Sequence, residues 1–586
     1  MQRFSIFNSF WVEEEHSKEI VNKIIVEHGV SYILARLLFL VPGLRYEEIP
    51  DFLSPKIKNL MPDPNHLLDV PKAVERLYKA IINKEKITIF GDYDVDGATS
   101  SAIIHNYLKS IGITSEIYIP DRVLEGYGPN IEAMLKIAQN GTKLLITVDC
   151  GTVAFEPLEV AYNTGMDAIV IDHHLGTQKI PKSIAVINPN RLDETTTLKY
   201  LCGAGVSFML IVALNAYLRK IGFFQENNIY EPKIMELLPL VALGTVCDVM
   251  QLKGLNRAFV STGLQLLAKW ENIGLRALKE VSGITDFDEQ TFGFVFGPCI
   301  NAGGRIGDAS LGAKLLTEEN YGEALKLARK LYELNIERRE IERKMKEDAI
   351  AELELKDFSN DGFVFVGSEG YHQGVIGILA SRLKDKYNKP AIVYSKLEGV
   401  IKASARSIIG VDIGLVINLA VKNGLLIKGG GHEMAGGFTC LLDKITELQE
   451  FFYAEITEKV RKFSKFKILQ YTCEISFSAI TMDFYNEIQK LKPFGQGNIK
   501  PSFIVRDVEI SFWQRRGQTH LFLILIDDSG VVAKGIFFNF FANFTEDNLL
   551  SLEKSKIDII CEVYLNKWNG SENLELLVKD IRICES

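Results

Sequence analysis

No C-x-x-C pair occurs in this 586-residue chain, and its eight cysteines are scattered. That argues against a zinc ribbon or a disulfide framework and fits a reducing, cytoplasmic setting. No apolar run approaches the ~18 residues of a membrane span. The opening stretch, MQRFSIFNSFWVEEEHSKE, lacks the continuous apolar segment and small-residue cleavage site of a signal peptide. Internal repeats and low-complexity tracts are missing too. Nor is there an excess of positive charge. The formal net charge is −9, so any contact with a polyanion has to be local or screened by bound metal. What is present is ordinary globular composition, 47% hydrophobic and 24% charged. A chain of this length divides into roughly two to four domains.

Residues 1–65 read as a helical extension that ends in the breaker-rich MPDPN. Over residues 66–316, helical patterns alternate with short apolar runs such as KITIF, SEIYIP, KLLITVDC, DAIVIDHH and IAVINPN. This alternation predicts an α/β domain whose parallel sheet is buried on both faces. A Pro-free stretch with helically spaced Leu327, Leu331 and Leu334 predicts a long connecting helix over 317–357. Residues 358–463 begin a second α/β unit, with GFVFVGS and PAIVYS as strands. From 464 to 586, alternating runs predict a small β-barrel of the oligonucleotide-binding (OB) kind.

The chemistry concentrates where apolar runs end. KITIFGDYDVDG places Asp92, Asp94 and Asp96 at alternate positions. Neighbouring carboxylates repel unless a cation neutralises them. An EF-hand loop would need Glu at its twelfth position, which is Ile103, and a helix before it. An aspartyl phosphatase would keep the run apolar where Gly91 interrupts it. A solvated acidic turn is the remaining alternative. All three weaken because LLITVDC ends in Asp149, AIVIDHH in Asp172, His173 and His174, and LPLVALGTVCDVM in Asp248. Read as strands of an open parallel sheet, these runs deliver their polar ends to the one edge that lines a ligand crevice. Mixed Asp and His donors suit Mn²⁺ or Mg²⁺ rather than Ca²⁺. The candidate ligands are Asp92, Asp94, Asp96, Asp149, His173 and Asp248, enough for two cations. A two-metal centre activates a bridging water and stabilises phosphoryl-transfer charge, so the inferred reaction is phosphoanhydride or phosphodiester hydrolysis.

Further along, KGGGHEMAGGF reads as a Gly-rich loop whose N–H groups approach a phosphate. Between Val400 and His432, Lys402, Arg406, Lys422 and Lys428 face a single acid, Asp412, a basic strip in an acidic protein. Arg406 lies among small residues and can contact phosphate in a bidentate way. In the C-terminal segment, Trp513, Arg515, Arg516, His520 and Phe522 interleave aromatics with cations, which suits single-stranded nucleic acid and equally a plain hairpin.

In order and spacing, FLSP, GDYDVDGATS, IPDR, GYG, VDCG, DHH, GTVCDV, INAGGRIGDAS, GVIGILASRL, SARS, GGGHEMAGGF and PFGQGN resemble the DHH phosphoesterases. Within that superfamily the chain is similar to the RecJ-type single-strand-specific DNA exonucleases. The resemblance implies that Asp92, Asp94, Asp96, His173 and Asp248 bind metal and that Asp149 bridges two ions. Asp172 would support the ligands from behind, and His174 would face the scissile phosphate. Arg122 and Arg305 would contact phosphate. Ser404, Arg406, Gly430, Gly431 and His432 would hold the strand, with His432 set against the metal site. Asp149, His174, Arg406 and His432 would be the catalytic group. It further implies a cytoplasmic monomer, not membrane-bound, with two divalent cations, Mn²⁺ or Mg²⁺. The substrate would be single-stranded DNA, degraded 5′ to 3′ to mononucleotides in repair and recombination, beside a helicase and a single-strand-binding protein. Cys299 departs from the family pattern, standing where arginine is frequent. The alternatives are a DHH enzyme for short oligonucleotides or cyclic dinucleotides, and a non-catalytic scaffold.

Overall fold

A computed structural model describes residues 4–122, 125–355, 361–463, 467–553, 555–568 and 570–584. The chain forms two compact units, one of Met1–Pro55 with Lys465–Ser586 and one of Lys56–Ser464. The domain joints expected near 357 and 464 fall outside the described residues.

In the first unit, strand β1 (Ser9–Glu13) pairs in parallel with a strand near the other end of the sequence, Lys467–Tyr471. The N-terminal segment is therefore more than helices. Its helices Lys18–His28 and Tyr32–Leu40 send Val21, Ile24, Leu34 and Leu38 into the same core as the C-terminal strands.

The second unit opens with the predicted parallel sheet. Its strands are β2 (Ile87–Gly91), β3 (Ser115–Tyr118), β4 (Leu144–Val148), β5 (Asp167–Ile171) and β6 (Ala185–Ile187), in the order β3-β2-β4-β5-β6. Every pairing in it is parallel. On one face Ile87, Ile89, Ile146 and Ile169 pack against helices Val70–Ile82, Val95–Ser110 and Gly203–Lys220. On the other, Phe90, Leu145 and Val170 pack against helices Ile131–Gln139 and Phe155–Asn163. Burial on both faces is why these strands read as unbroken apolar runs.

One run departs from the expected strand. LPLVALGTVC is the helix Leu238–Cys247, and Asp248 caps its C-terminus. The helix is apolar on every side because it is buried on every side, so its sequence carries no helical period.

The long helix spans Tyr321–Glu354 and carries a second sheet, β7 (Val364–Ser368), β8 (Ala391–Leu397), β9 (Val400–Arg406), β10 (Lys428–His432) and β11 (Ala435–Leu441). The order is β10-β11-β9-β8-β7, with only β7–β8 parallel. Glu342 of the helix ties this domain in place, accepting from Arg338 at 2.7 Å and from Arg382 at 2.9 Å. The predicted Gly-rich loop is instead the hairpin β10–β11. A Cβ at Gly431 would fall 2.3 Å from the Ala435 carbonyl oxygen, so glycine is needed for two strands to pass this closely, not for a loop.

The remaining strands, β12 (Lys467–Tyr471), β13 (Cys473–Glu474), β14 (Phe503–Arg516), β15 (His520–Ile526), β16 (Val532–Phe537), β17 (Ile557–Trp568) and β18 (Ser571–Ile583), complete the first unit. Pairing of β14 with β17 closes β14-β15-β16-β18-β17 into a five-stranded barrel, the closure expected of an OB domain.

Candidate metal centre

The parallel sheet delivers its polar ends to one edge. Strand β2 leads into Asp92, β4 into Asp149, β5 into the triplet Asp172–His174 and β6 into Asn188. Asp94 caps the helix Val95–Ser110, accepting from the Gly97 amide at 3.1 Å. Within the first turn, Asp96 is 1% exposed and faces the N-terminus of helix Gly203–Lys220, where the Gly203 and Ala204 amides donate at 2.5 and 2.9 Å. The helix dipole favours a carboxylate there.

Asp96, His173 and Asp248 form one set of donors within ligand spacing, Asp92, Asp94 and Asp149 a second, and Asp149, His173 and His174 a third. The sets adjoin at Asp149 and His173, whose Oδ1 and Nε2 are 3.2 Å apart. His173 Nε2 is also 3.5 Å from Asp248 and 3.8 Å from Asp96. All six sequence-predicted ligands are thus brought together.

The donors fit cations. Asp92 Oδ1, Asp149 Oδ1, His173 Nε2 and Asp248 Oδ2 are buried and make no hydrogen bond. Orphaned polar atoms are rare in protein interiors. Burial, reinforced by neighbouring aspartates, holds Asp92 and Asp149 well above the usual carboxylate range and pushes Asp248 up to about 8. Burial likewise lowers His173. Such carboxylates are ones that a divalent cation stabilises in their ionised form. Asp149 also adopts a left-handed backbone, φ 59°, a strained conformation that clusters at functional sites.

Asp172 behaves differently. Burial acts to raise it, but donation from His174 Nδ1 at 2.8 Å and from the amides of Thr152, His173 and His174 outweighs burial and brings it down to about 2. Its oxygens are occupied by donors and it stays ionised. His174 is pulled the other way. Burial would lower it, yet Asp172 raises it to about 9, so its ring is protonated at neutral pH.

Sequence patterns miss three groups near this loop. Asn188 Nδ2 donates to the His174 carbonyl at 2.8 Å and to Thr152 Oγ1 at 2.8 Å, and Asn190 Nδ2 donates to the His173 carbonyl at 2.6 Å. Tyr127 holds its hydroxyl 3.3 Å from the His174 ring and 3.3 Å from the Asp149 carbonyl. NPN and GYG are the available signals, two asparagines and one aromatic where a strand or loop meets the polar edge. A fourth is Gly244, where a Cβ would fall 2.7 Å from Asp96 Oδ1 and 2.6 Å from Thr99 Oγ1. Gly244→Ala is expected to cost about 1–3 kcal/mol of stability by overpacking and to weaken Mn²⁺ binding, as thermal unfolding and a Mn²⁺ titration would show.

The predicted phosphate contacts converge in part. Arg305 is half-buried and lowered to about 10, by loss of solvent first and then by the charges of Arg122, Arg338 and Arg406. Arg305 also donates to the Gly374 carbonyl at 3.1 Å, tying the two domains, while Arg122 stacks on Tyr93, 4.9 Å from its ring centre. On β9 the two-residue period sets Lys402, Ser404 and Arg406 on one face, and Arg406 Nη1 donates to Ser404 Oγ at 3.2 Å. Lys422 ends a helix and Lys428 starts β10, so the basic strip is not one surface. Gly430, Gly431 and His432 lie on β10, and His432 is exposed and belongs to none of the donor sets among the described residues. Cys299 is buried with Sγ 3.6 Å from Asn335 Nδ2 of the long helix. On the barrel, Trp513, Arg515, Arg516, His520 and Phe522 lie on the paired strands β14 and β15, with Arg516 opposite His520.

Residues 86–245 match the model of the DHH family N-terminal domain, residues 360–458 the DHHA1 domain, and residues 471–580 the RecJ OB domain. The single-stranded-DNA-specific exonuclease RecJ of Dickeya dadantii is 34% identical over 87% of this chain and 90% of its own. That of Escherichia coli is 33% identical over 94% and 95%. The chain belongs to the RecJ exonuclease family. RecJ of Thermus thermophilus in complex with Mn²⁺ superposes with a TM-score of 0.79 at 26% identity, covering 98% of this chain and 80% of that one. A Mg²⁺ complex of the same RecJ gives 0.74 at 25% identity, covering 98% and 79%. The oxygen and imidazole donors of the cluster are of the kind that suits such ions.

Proposed function

We propose that the protein is a metal-dependent exonuclease that removes mononucleotides from the 5′ end of single-stranded DNA. The observation that carries this reading is the cluster of buried Asp92, Asp96 and Asp149 with half-buried Asp94, His173 and Asp248, whose donor sets adjoin at Asp149 and His173. Family membership supports the polymer substrate, the 5′ to 3′ direction, the cytoplasmic monomer and the helicase and single-strand-binding partners.

The cluster has donors for two divalent cations, which would supply Lewis acidity and an activated water for in-line phosphodiester hydrolysis. Asp149 belongs to two of the donor sets and fixes their separation. Asp172 locks the His174 ring through Nδ1 and keeps it charged, so the other ring nitrogen can donate to a phosphate oxygen as negative charge builds there. Arg122, Arg305 and Arg406 repel one another without a phosphate and lose that repulsion when one binds. Ser404 orients Arg406. His432, at the exposed end of β10, is proposed to hold the strand rather than the metal.

One single-stranded oligonucleotide labelled at its 5′ end in one sample and at its 3′ end in another tests the direction. Labelled mononucleotide should emerge at once from the 5′ label and only at the end of the time course from the 3′ label. The reverse order, or internal fragments, would overturn the proposal.

A further inference from the structure

Helix Gly297–Ile306 runs beside the metal cluster, and its two ends meet the chain next to different candidate ligands. A Cβ at Gly304 would fall 2.5 Å from the carbonyl oxygen of Tyr93, between Asp92 and Asp94. A Cβ at Gly297 would fall 2.5 Å from Cys247 Sγ, next to Asp248. Arg305 lies at the first end with Arg122 and Arg406. Two unusual features occupy the second.

One is the segment before the helix. Phe292–Phe296 forms a turn of π-helix, rare in proteins and frequent at functional sites. It packs on the helix that bears Asp248, with Cys247 Sγ donating to the Phe292 carbonyl at 3.3 Å. Phe292 and Phe296 are buried, whereas Phe294 between them is 72% exposed.

The other is the residue after Asp248. The Met250 amide donates to Thr245 and the Val249 amide to Val246, the paired hydrogen bonds that close a helix with a left-handed residue. That residue is normally glycine. Here it is Val249, β-branched, at φ 55° and 66% exposed. A β-branched side chain in this region is a strained outlier, and such strain persists where function holds it. The exposed apolar side chain gives the fold nothing in return.

We infer that Phe294 and Val249 form an apolar edge on which a nucleobase beyond the second nucleotide of the strand stacks. This rests on the reading of single-stranded DNA as substrate. A strand with its terminal phosphate at Arg122, Arg305 and Arg406 and its first linkage at the carboxylates lays the following bases toward Asp248, Val249 and Phe294. The helix rise puts Phe294 roughly 15 Å from Arg305 along this path. An aromatic face accepts any base, as an exonuclease without sequence preference requires.

The test compares Phe294→Ala, Phe294→Tyr and Val249→Gly on a single-stranded 20-mer and on a dinucleotide, which ends before the edge. Phe294→Ala is expected to raise KM for the 20-mer about 10- to 100-fold, the loss of one base stack. It should leave kcat, dinucleotide hydrolysis and the unfolding temperature unchanged, and Phe294→Tyr should restore KM. Val249→Gly should raise the unfolding temperature and still raise KM for the 20-mer. An unchanged KM in Phe294→Ala, or equal losses on both substrates, overturns the inference. If the parent protein cuts the dinucleotide but not the 20-mer, the functional reading itself has failed, and the inference with it.

Discussion

Asp149→Asn is expected to abolish hydrolysis and to make the metal-free protein more heat-stable than the parent. Asp149 is 2% exposed, its Oδ1 makes no hydrogen bond, and burial with the charges of Asp96 and Asp94 holds its carboxyl well above the ordinary range. Without metal, a carboxylate here is a buried charge among like charges. Asparagine keeps the shape, removes the charge, and tolerates the left-handed backbone at φ 59° better than most residues. With metal, the same change removes the carboxylate that two of the donor sets share. Losing a single charge-stabilising donor typically costs 10²–10³ in kcat, so kcat should fall by more than about 10³-fold. Steady-state hydrolysis with Mn²⁺ and thermal unfolding in chelator check both halves. Activity within about tenfold of the parent would remove Asp149 from the chemistry.

The second large effect is a reversal of stability with pH. Asp248 is raised to about 8 in the folded state against an ordinary value near 3.9. Its contribution is therefore fully present below about pH 4 and is lost as pH rises through 8. Asp92 and Asp149 are shifted in the same direction by burial, and so is His174, raised to about 9 by Asp172. Between pH 7 and 8, above the range where lowered His173 titrates, the chelated protein should lose stability with rising pH, by about 1 kcal/mol per unit from Asp248, with the other raised groups acting in the same direction. At about 1 °C per kcal/mol for a chain of this size, that shift is within reach of calorimetry. Saturating Mn²⁺ should flatten or invert the trend, because metal binds the deprotonated ligands and competes with protons less as pH rises. Scanning calorimetry at four pH values with and without Mn²⁺ decides it. A chelated protein whose unfolding temperature climbs across this range would show that the carboxylates are not the strained, proton-hungry cluster described.

The sequence is most legible where buried strands end. Ile87–Gly91, Leu144–Val148 and Asp167–Ile171 are short apolar runs, each broken by a polar residue, because a strand covered on both faces has no reason to alternate and must stop where solvent or ligand begins. That makes Asp92, Asp149 and the Asp172–His174 triplet visible as one edge. The helix of Leu238–Cys247 is not visible as a helix, since total burial erases its period, although Asp248 still stands out by its place after an apolar run. KGGGH looks like a loop because glycine usually marks one, and only the approach of Gly431 to Ala435 shows why strands need it here. The pairing of Ser9–Glu13 with Lys467–Tyr471 joins distant segments, which no local pattern reports. Asn188, Asn190 and Tyr127 act by holding the triplet, and single polar side chains carry no periodic signal.

The most direct test of the account incubates 5′-labelled single-stranded DNA, the same sequence as duplex, and a labelled dinucleotide with the protein and Mn²⁺, beside Asp149→Ala. The account predicts early release of labelled mononucleotide from the single strand, none from the duplex, and none with Asp149→Ala. Hydrolysis of the dinucleotide alone, or undiminished release by Asp149→Ala, would contradict it.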